Sequence, residues 1–169
     1  MPAVREQFKS YHAFASASLI DIYGDRLNKA MRLSANDLES GVWINESKQD
    51  GVKLHWRPLP WDAQLSPVND IVSGDFNGDG KMEIILAQNH YTNWIETGRW
   101  RGNPGCHMEW KKNGFAVIPH RQSGIMLPGD TKALLTLDPD GDGVMDILGA
   151  SNNGALLQFR AKQQSQETR

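Results

Sequence analysis

The sequence predicts a mainly β chain: about two four-stranded, blade-like units behind a short helical lead. Three observations carry that expectation. From Gly41 onward, short β-prone runs alternate with Gly, Pro, Asn and Asp. One acidic segment, residues 75–89, recurs as residues 138–152. The stretch before residue 41 follows a different, helical rhythm.

In that lead, residues 1–40, no proline falls between Val4 and Leu38, and only Gly24 interrupts. Apolar residues stand at Phe8, Tyr11, Phe14 and Ala15, then Leu19, Ile22 and Tyr23, then Leu27, Ala30 and Met31. Steps of three and four suit amphipathic helices. Two or three short helices are expected, with Ser18 and Ser34 as N-caps and Gly24 as a stop. The lead is expected to pack against a neighbouring module and carries no visible chemistry.

Residues 41–160 hold nine candidate strands: 42–45, 53–57, 69–74, 83–88, 108–111, 115–119, 133–137, 146–150 and 156–160. The connections are short except between Asn89 and His107. The tail, 161–169, is polar and expected to fray. The acidic segment repeats at an offset of 63 residues, from Asp75 to Asp138. Similarity extends upstream through three candidate strands in each copy, so the repeating unit is four strands long with the acidic loop inside it. Four-stranded repeats are the pattern of propeller blades.

Composition excludes several functions. With 18 Lys+Arg against 20 Asp+Glu, the net charge is −2, so nothing favours nucleic acid. No apolar run approaches the roughly 20 residues of a membrane span. The first residues lack the charged-then-apolar order of a signal peptide. A single cysteine, Cys106, rules out an internal disulfide.

Both loops place side-chain oxygens at positions one, three and five: Asp75, Asn77 and Asp79, then Asp138, Asp140 and Asp142. Gly80 and Gly143 follow, giving the tight turn that bulkier residues resist. Position seven, Lys81 or Val144, offers a backbone carbonyl, and position nine a carboxylate, Glu83 or Asp146. The first loop gathers three carboxylates and the second four. Such crowding repels unless a cation sits among them, and calcium accepts six to eight oxygens in irregular geometry. Two calcium sites are therefore expected, the second tighter. An acidic solvated turn is the plainer alternative for either loop alone. Position twelve is Leu86 or Gly149 and apolar strands follow, so these are not EF-hands. Magnesium keeps more water, and no tight His or Cys cluster favours a transition metal.

The loops and the apolar strands after them resemble the FG-GAP (VCBS-type) repeats of integrin-like β-propellers. Pro58-Leu59-Pro60, Ala63-Gln64, Ser66-Pro67-Val68, residues 75–80, Asn89, Gly98-Arg99 and Gln122-Ser123-Gly124 resemble the C-terminal part of large bacterial members. The resemblance implies a partial propeller in which calcium stiffens each blade. Its metal positions would be Asp75, Asn77, Asp79, the Lys81 carbonyl and Glu83, and Asp138, Asp140, Asp142, the Val144 carbonyl and Asp146. It also implies extracellular or cell-surface use, and binding rather than catalysis. Glu83 stands where aspartate is usual, which implies a looser first site. Closed propellers have about four to eight blades, so further blades would come from a longer chain or from copies of this one.

The leading expectation is a non-enzymatic calcium-binding module for adhesion or binding of a protein or glycan. The alternative is a carbohydrate-binding surface on residues 89–109, with Trp94, Arg99 and Trp100 as candidate contacts. Packing of those tryptophans is the reading that general burial trends favour. A lesser alternative is a non-catalytic part of a larger secreted enzyme. The carboxylates Asp62, Asp70, Glu96 and Glu109 show no spacing that forces a catalytic pair, and Ser123 is not in a nucleophile elbow.

Overall fold

The structure, a computed structural model, describes residues 2–49, 51–112 and 114–161. The expected frayed tail lies, beyond Ala161, outside the described residues. The chain divides into two compact units, Met1–Leu38 and Glu39–Arg169.

The first unit holds three short helices, α1 (Pro2–Gln7), α2 (Tyr11–Ala15) and α3 (Leu19–Tyr23), then a 3₁₀ segment, Gly24–Lys29. Ser10 caps α2 by accepting from the Ala13 N–H. Ser18 caps α3 in a capping box, its own N–H donating to the Asp21 carboxylate. Gly24 ends α3 at φ +54°, a backbone state glycine adopts freely. Ser34, expected as a cap, begins no helix. The chain leaves the 3₁₀ segment extended at Ala30, and Met31, Leu33 and Leu38 stay exposed. Short helices depend on burying an apolar face, and the apolar side chains of this stretch are not buried.

The second unit is β-rich. Its strands are β1 (Gly41–Asn45), β2 (Leu54–Pro58), β3 (Val68–Gly74), β4 (Glu83–Gln88), β5 (Cys106–Lys111), β6 (Gly114–Ile118), β7 (Thr131–Leu137), β8 (Asp146–Ser151) and β9 (Leu156–Phe159). These are the nine strands expected from the sequence. Two one-turn helices, α4 (Trp61–Gln64) and α5 (His120–Ser123), were not expected. Each starts directly after a proline, Pro60 or Pro119, and is too short to show a 3.6-residue period.

The strands form three antiparallel sheets: β1-β2, β3-β4-β5-β6 and β7-β8-β9. The repeat order is therefore as expected, but its phase is not. Each sequence unit runs strand, strand, short helix, strand, acidic loop, strand. The four-stranded sheet takes β3 and β4 from the first unit and β5 and β6 from the second. The acidic loops join β3 to β4 and β7 to β8. A register shift between Val68 and Asp70 in the first pair recurs between Thr131 and Ala133 in the second.

The sheets pack through two apolar clusters. Phe76, Ile85, Ala87, Ile125, Leu127, Leu134 and Ile147 join the four-stranded to the three-stranded sheet. Leu59, Ala63, Leu86, Cys106 and Met108, with Val42 against them, join it to β1-β2. Strand β4 is thus covered on both faces, which is why it reads Ile84-Ile85-Leu86-Ala87 with no polar alternation. Among the described residues no helix is long and apolar enough to cross a membrane.

Candidate metal loops and the aromatic loop

The two acidic loops share one local architecture. Asp75 Oδ1 accepts from the Gly78 and Asp79 N–H groups at 2.8 and 3.1 Å, and Oδ2 from Gly80 at 2.8 Å. Asp138 does the same with Gly141, Asp142 and Gly143 at 2.8, 3.1 and 2.9 Å. These backbone donors, that of Gly143 foremost, hold the Asp138 carboxyl below the usual carboxylate range. At position five, Asp79 Oδ1 accepts from Lys81 N–H and Asp142 Oδ1 from Val144 N–H. Gly78, Gly80, Gly141 and Gly143 all lie at φ between +73° and +83°, the left-handed region that the wrap requires.

The loops differ in how their acids are used. In the second, carboxylate oxygens of Asp138, Asp140 and Asp142 come within 4.8 Å of one another. In the first, position three is Asn77, and the Lys81 ammonium lies 2.8 Å from Asp79 Oδ2. That hydrogen bond is the main cause of a lowered Asp79 and a raised Lys81 pKa. The first loop thus carries a cation of its own on one of its candidate donors.

The acids at position nine turn inward. Glu83 is buried and accepts from Phe76 N–H at 3.1 Å and the Asn77 amide at 2.8 Å. Asp146 is buried and accepts from the Gln158 amide at 2.7 Å and Ala161 N–H at 3.2 Å. Asp146 is not among the carboxylates that converge in the second loop. In each repeat the partner comes from the third strand of the sheet: His107 Nε2 stands 3.5 Å from Glu83 Oε2 where Gln158 faces Asp146. Burial pushes the Glu83 carboxyl up and the His107 imidazole down to about 4, and neither imidazole nitrogen has a hydrogen-bond partner among the described residues. Both side chains, with Phe76, Asn77 and Arg121, line a cleft of about 700 Å³. Sequence reasoning missed His107 and Gln158, since one strand position becomes a partner only once register is known.

The long connection from β4 to β5 is folded back on itself. His90 and Trp100 exchange two backbone hydrogen bonds of 2.9 Å, and their rings lie 6.3 Å apart. Arg99 sits over the Tyr91 ring at 5.1 Å. The expectation that Trp94 and Trp100 pack away does not hold: they are 83% and 50% exposed. Trp110 instead meets Phe115 edge-on at 5.1 Å. Beside this connection lies a polar cluster the sequence did not signal. Lys132 Nζ is 2.6 Å from Asp130 Oδ1, 3.2 Å from Asn69 Oδ1 and 3.0 Å from His90 Nδ1. Of the remaining scattered carboxylates, Asp70 accepts from Leu134 N–H at 2.7 Å and Glu109 pairs with Lys111 at 2.6 Å.

Comparison with known proteins found no matching family model, no matching curated protein and no matching solved structure.

Proposed function

We propose that this chain is a non-enzymatic, calcium-clipped β-repeat module that serves binding or adhesion. The single observation that carries the reading is the convergence of Asp138, Asp140 and Asp142 within 4.8 Å. Three carboxylates this close repel one another, and the Arg160 guanidinium, 3.7 Å from Asp140 Oδ2, offsets only part of that charge, so a bound cation would relieve the rest. The donor set fits calcium: it is all oxygen, with no nitrogen or sulfur that would favour a transition metal. The Val144 carbonyl, next along the loop, is the natural backbone donor. The first loop, with Asn77 and the Lys81 ammonium in place, is the weaker site. Calcium would fasten β7 to β8 at the end where the loop leaves the sheet.

The propeller reading draws support from two features. The sheets stack face to face through β4, and β3 meets β7 through Asp70 and the Leu134 N–H. Sheets of four, two and three strands are what a slice through such an array would contain. The missing blades would come from a longer chain or further copies, and the setting would be extracellular or cell-surface. There calcium is abundant enough for sites with Kd on the order of 10⁻⁴–10⁻³ M.

Calorimetric titration of the full chain with calcium tests the proposal. Binding in that range, with a rise in Tm, is expected. Absence of both heat and thermal shift at millimolar calcium removes it.

A further inference from the structure

We infer that the face formed by residues 90–100 and Lys132 binds carbohydrate, and that its preferred ligand is a glycan whose sugars carry carboxylates. This inference is independent of the calcium reading. It rests on a built cluster rather than on exposed aromatics alone.

The cluster begins inside the protein. Asp130 is buried and its carboxylate oxygens accept no aligned hydrogen bond among the described residues, although Lys132 Nζ stands 2.6 Å from Oδ1. The ammonium is thereby held at His90, 3.0 Å from Nδ1. Lys132 can only donate, so Nδ1 accepts and the ring proton sits on Nε2. Nε2 then donates to Thr92 Oγ1 at 3.2 Å, which leaves the Thr92 hydroxyl hydrogen free to point at a ligand. The chain Asp130–Lys132–His90–Thr92 fixes one exposed hydroxyl from a buried base. Lys132 and His90 are positioning residues.

On the same connection, Trp100 is locked beside His90 by the paired backbone bonds while half its surface stays open. Arg99 is held over Tyr91, which fixes an exposed guanidinium without using its hydrogen-bonding edge. Trp94 adds a second open ring at the turn closed by the Thr97 N–H to Trp94 carbonyl bond.

Three ligand classes seek open aromatic faces. Quaternary ammonium is disfavoured, because Arg99 and Arg101 outnumber Glu96 on this segment, the Lys132 charge being matched by Asp130. Single-stranded nucleic acid requires a basic track along the backbone, and a chain of net charge −2 does not supply one. Sugar rings fit: their C–H faces lie on indoles, their hydroxyls meet Thr92, and a ring carboxylate pairs with the planar fork of Arg99.

The test is titration of the full chain with oligogalacturonate and, separately, with a neutral galactose oligomer of equal length. The acidic oligomer should bind and the neutral one should bind at least about tenfold more weakly. Trp100→Ala should lose about tenfold or more toward the acidic oligomer. Arg99→Gln should bring the acidic oligomer down to the neutral one's level, and Arg99→Lys should recover only part of the difference. Each variant is compared at unchanged Tm. Equal binding of both oligomers by the wild type overturns the inference, as does silence toward both. Tighter binding of a single-stranded oligonucleotide than of either sugar also overturns it.

Discussion

Lys132 Nζ lies 3.2 Å from Asn69 Oδ1, and the two residues occupy the same bulge in successive repeats. Asn69 also donates to the carbonyls of Asn89 and Thr131 at 2.7 and 2.8 Å. Neighbouring sheets therefore meet at two copies of one irregularity, where the ladder is interrupted and side chains take over its hydrogen bonds.

Asn69→Ala should lower unfolding free energy by about 1–3 kcal/mol, because two carbonyls and an ammonium lose partners. Asn69→Asp should cost more, although it adds a charge facing Lys132: a carboxylate cannot donate to the two carbonyls it would confront. Urea unfolding of both variants checks the order, and a stabilised Asn69→Asp would contradict it.

His107 makes acid stability sensitive to pH. Its pKa is about 4 in the folded chain against about 6.5 unfolded. Between those values the unfolded chain holds a proton that the native state refuses. Its contribution to stability is full above about pH 6.5 and is lost as pH falls toward 4. Glu83, raised by burial, acts in the opposite sense, its contribution lost as pH rises through its own window. His107→Gln copies the Gln158 arrangement of the second repeat and should flatten the loss between pH 7 and 5. Unfolding curves at several pH values measure it, and identical slopes in both proteins would acquit the histidine.

Cys106 is buried in the apolar cluster beneath β1-β2, and burial pushes its thiol up to about 12. A thiolate is the reactive form. The native chain should resist a thiol-specific reagent at pH 8, and labelling should follow unfolding by denaturant. Fast labelling of the folded chain would place this strand at the surface.

Asp142→Asn should weaken calcium binding more than Asp79→Asn, since Asp142 stands among three converging carboxylates while Asp79 already holds Lys81. Lys81→Ala should strengthen the first site. Calorimetry on the three variants separates the loops, and equal losses would indicate that loop rigidity sets affinity.

Strands were legible because β-prone runs are bounded by turn residues at most ends, as at Gly114 and Asn45. The loop architecture was legible too, because Asp at position one and Gly at positions four and six dictate a wrap that the backbone then follows. Pairing between distant strands was not. That His107 stands diagonally across from Glu83, opposite Ile85, depends on the β4–β5 register, which no local signal sets. The exposure of Trp94 and Trp100 was hidden for a related reason: a 3.6- or 2-residue period tells which face is buried, and a loop has neither. The sheet phase escaped because a repeat can be cut anywhere along its period and still repeat.

That phase has an evolutionary side. The junctions are staggered, as courses of brick are, so that every sequence unit spans two sheets. Duplicating one 63-residue period inserts a complete new sheet while leaving the strand neighbours on either side unchanged. Lengthening such an array asks for no new interface, whereas a single period excised from it would keep two strands of one sheet and two of the next, and a whole core of neither.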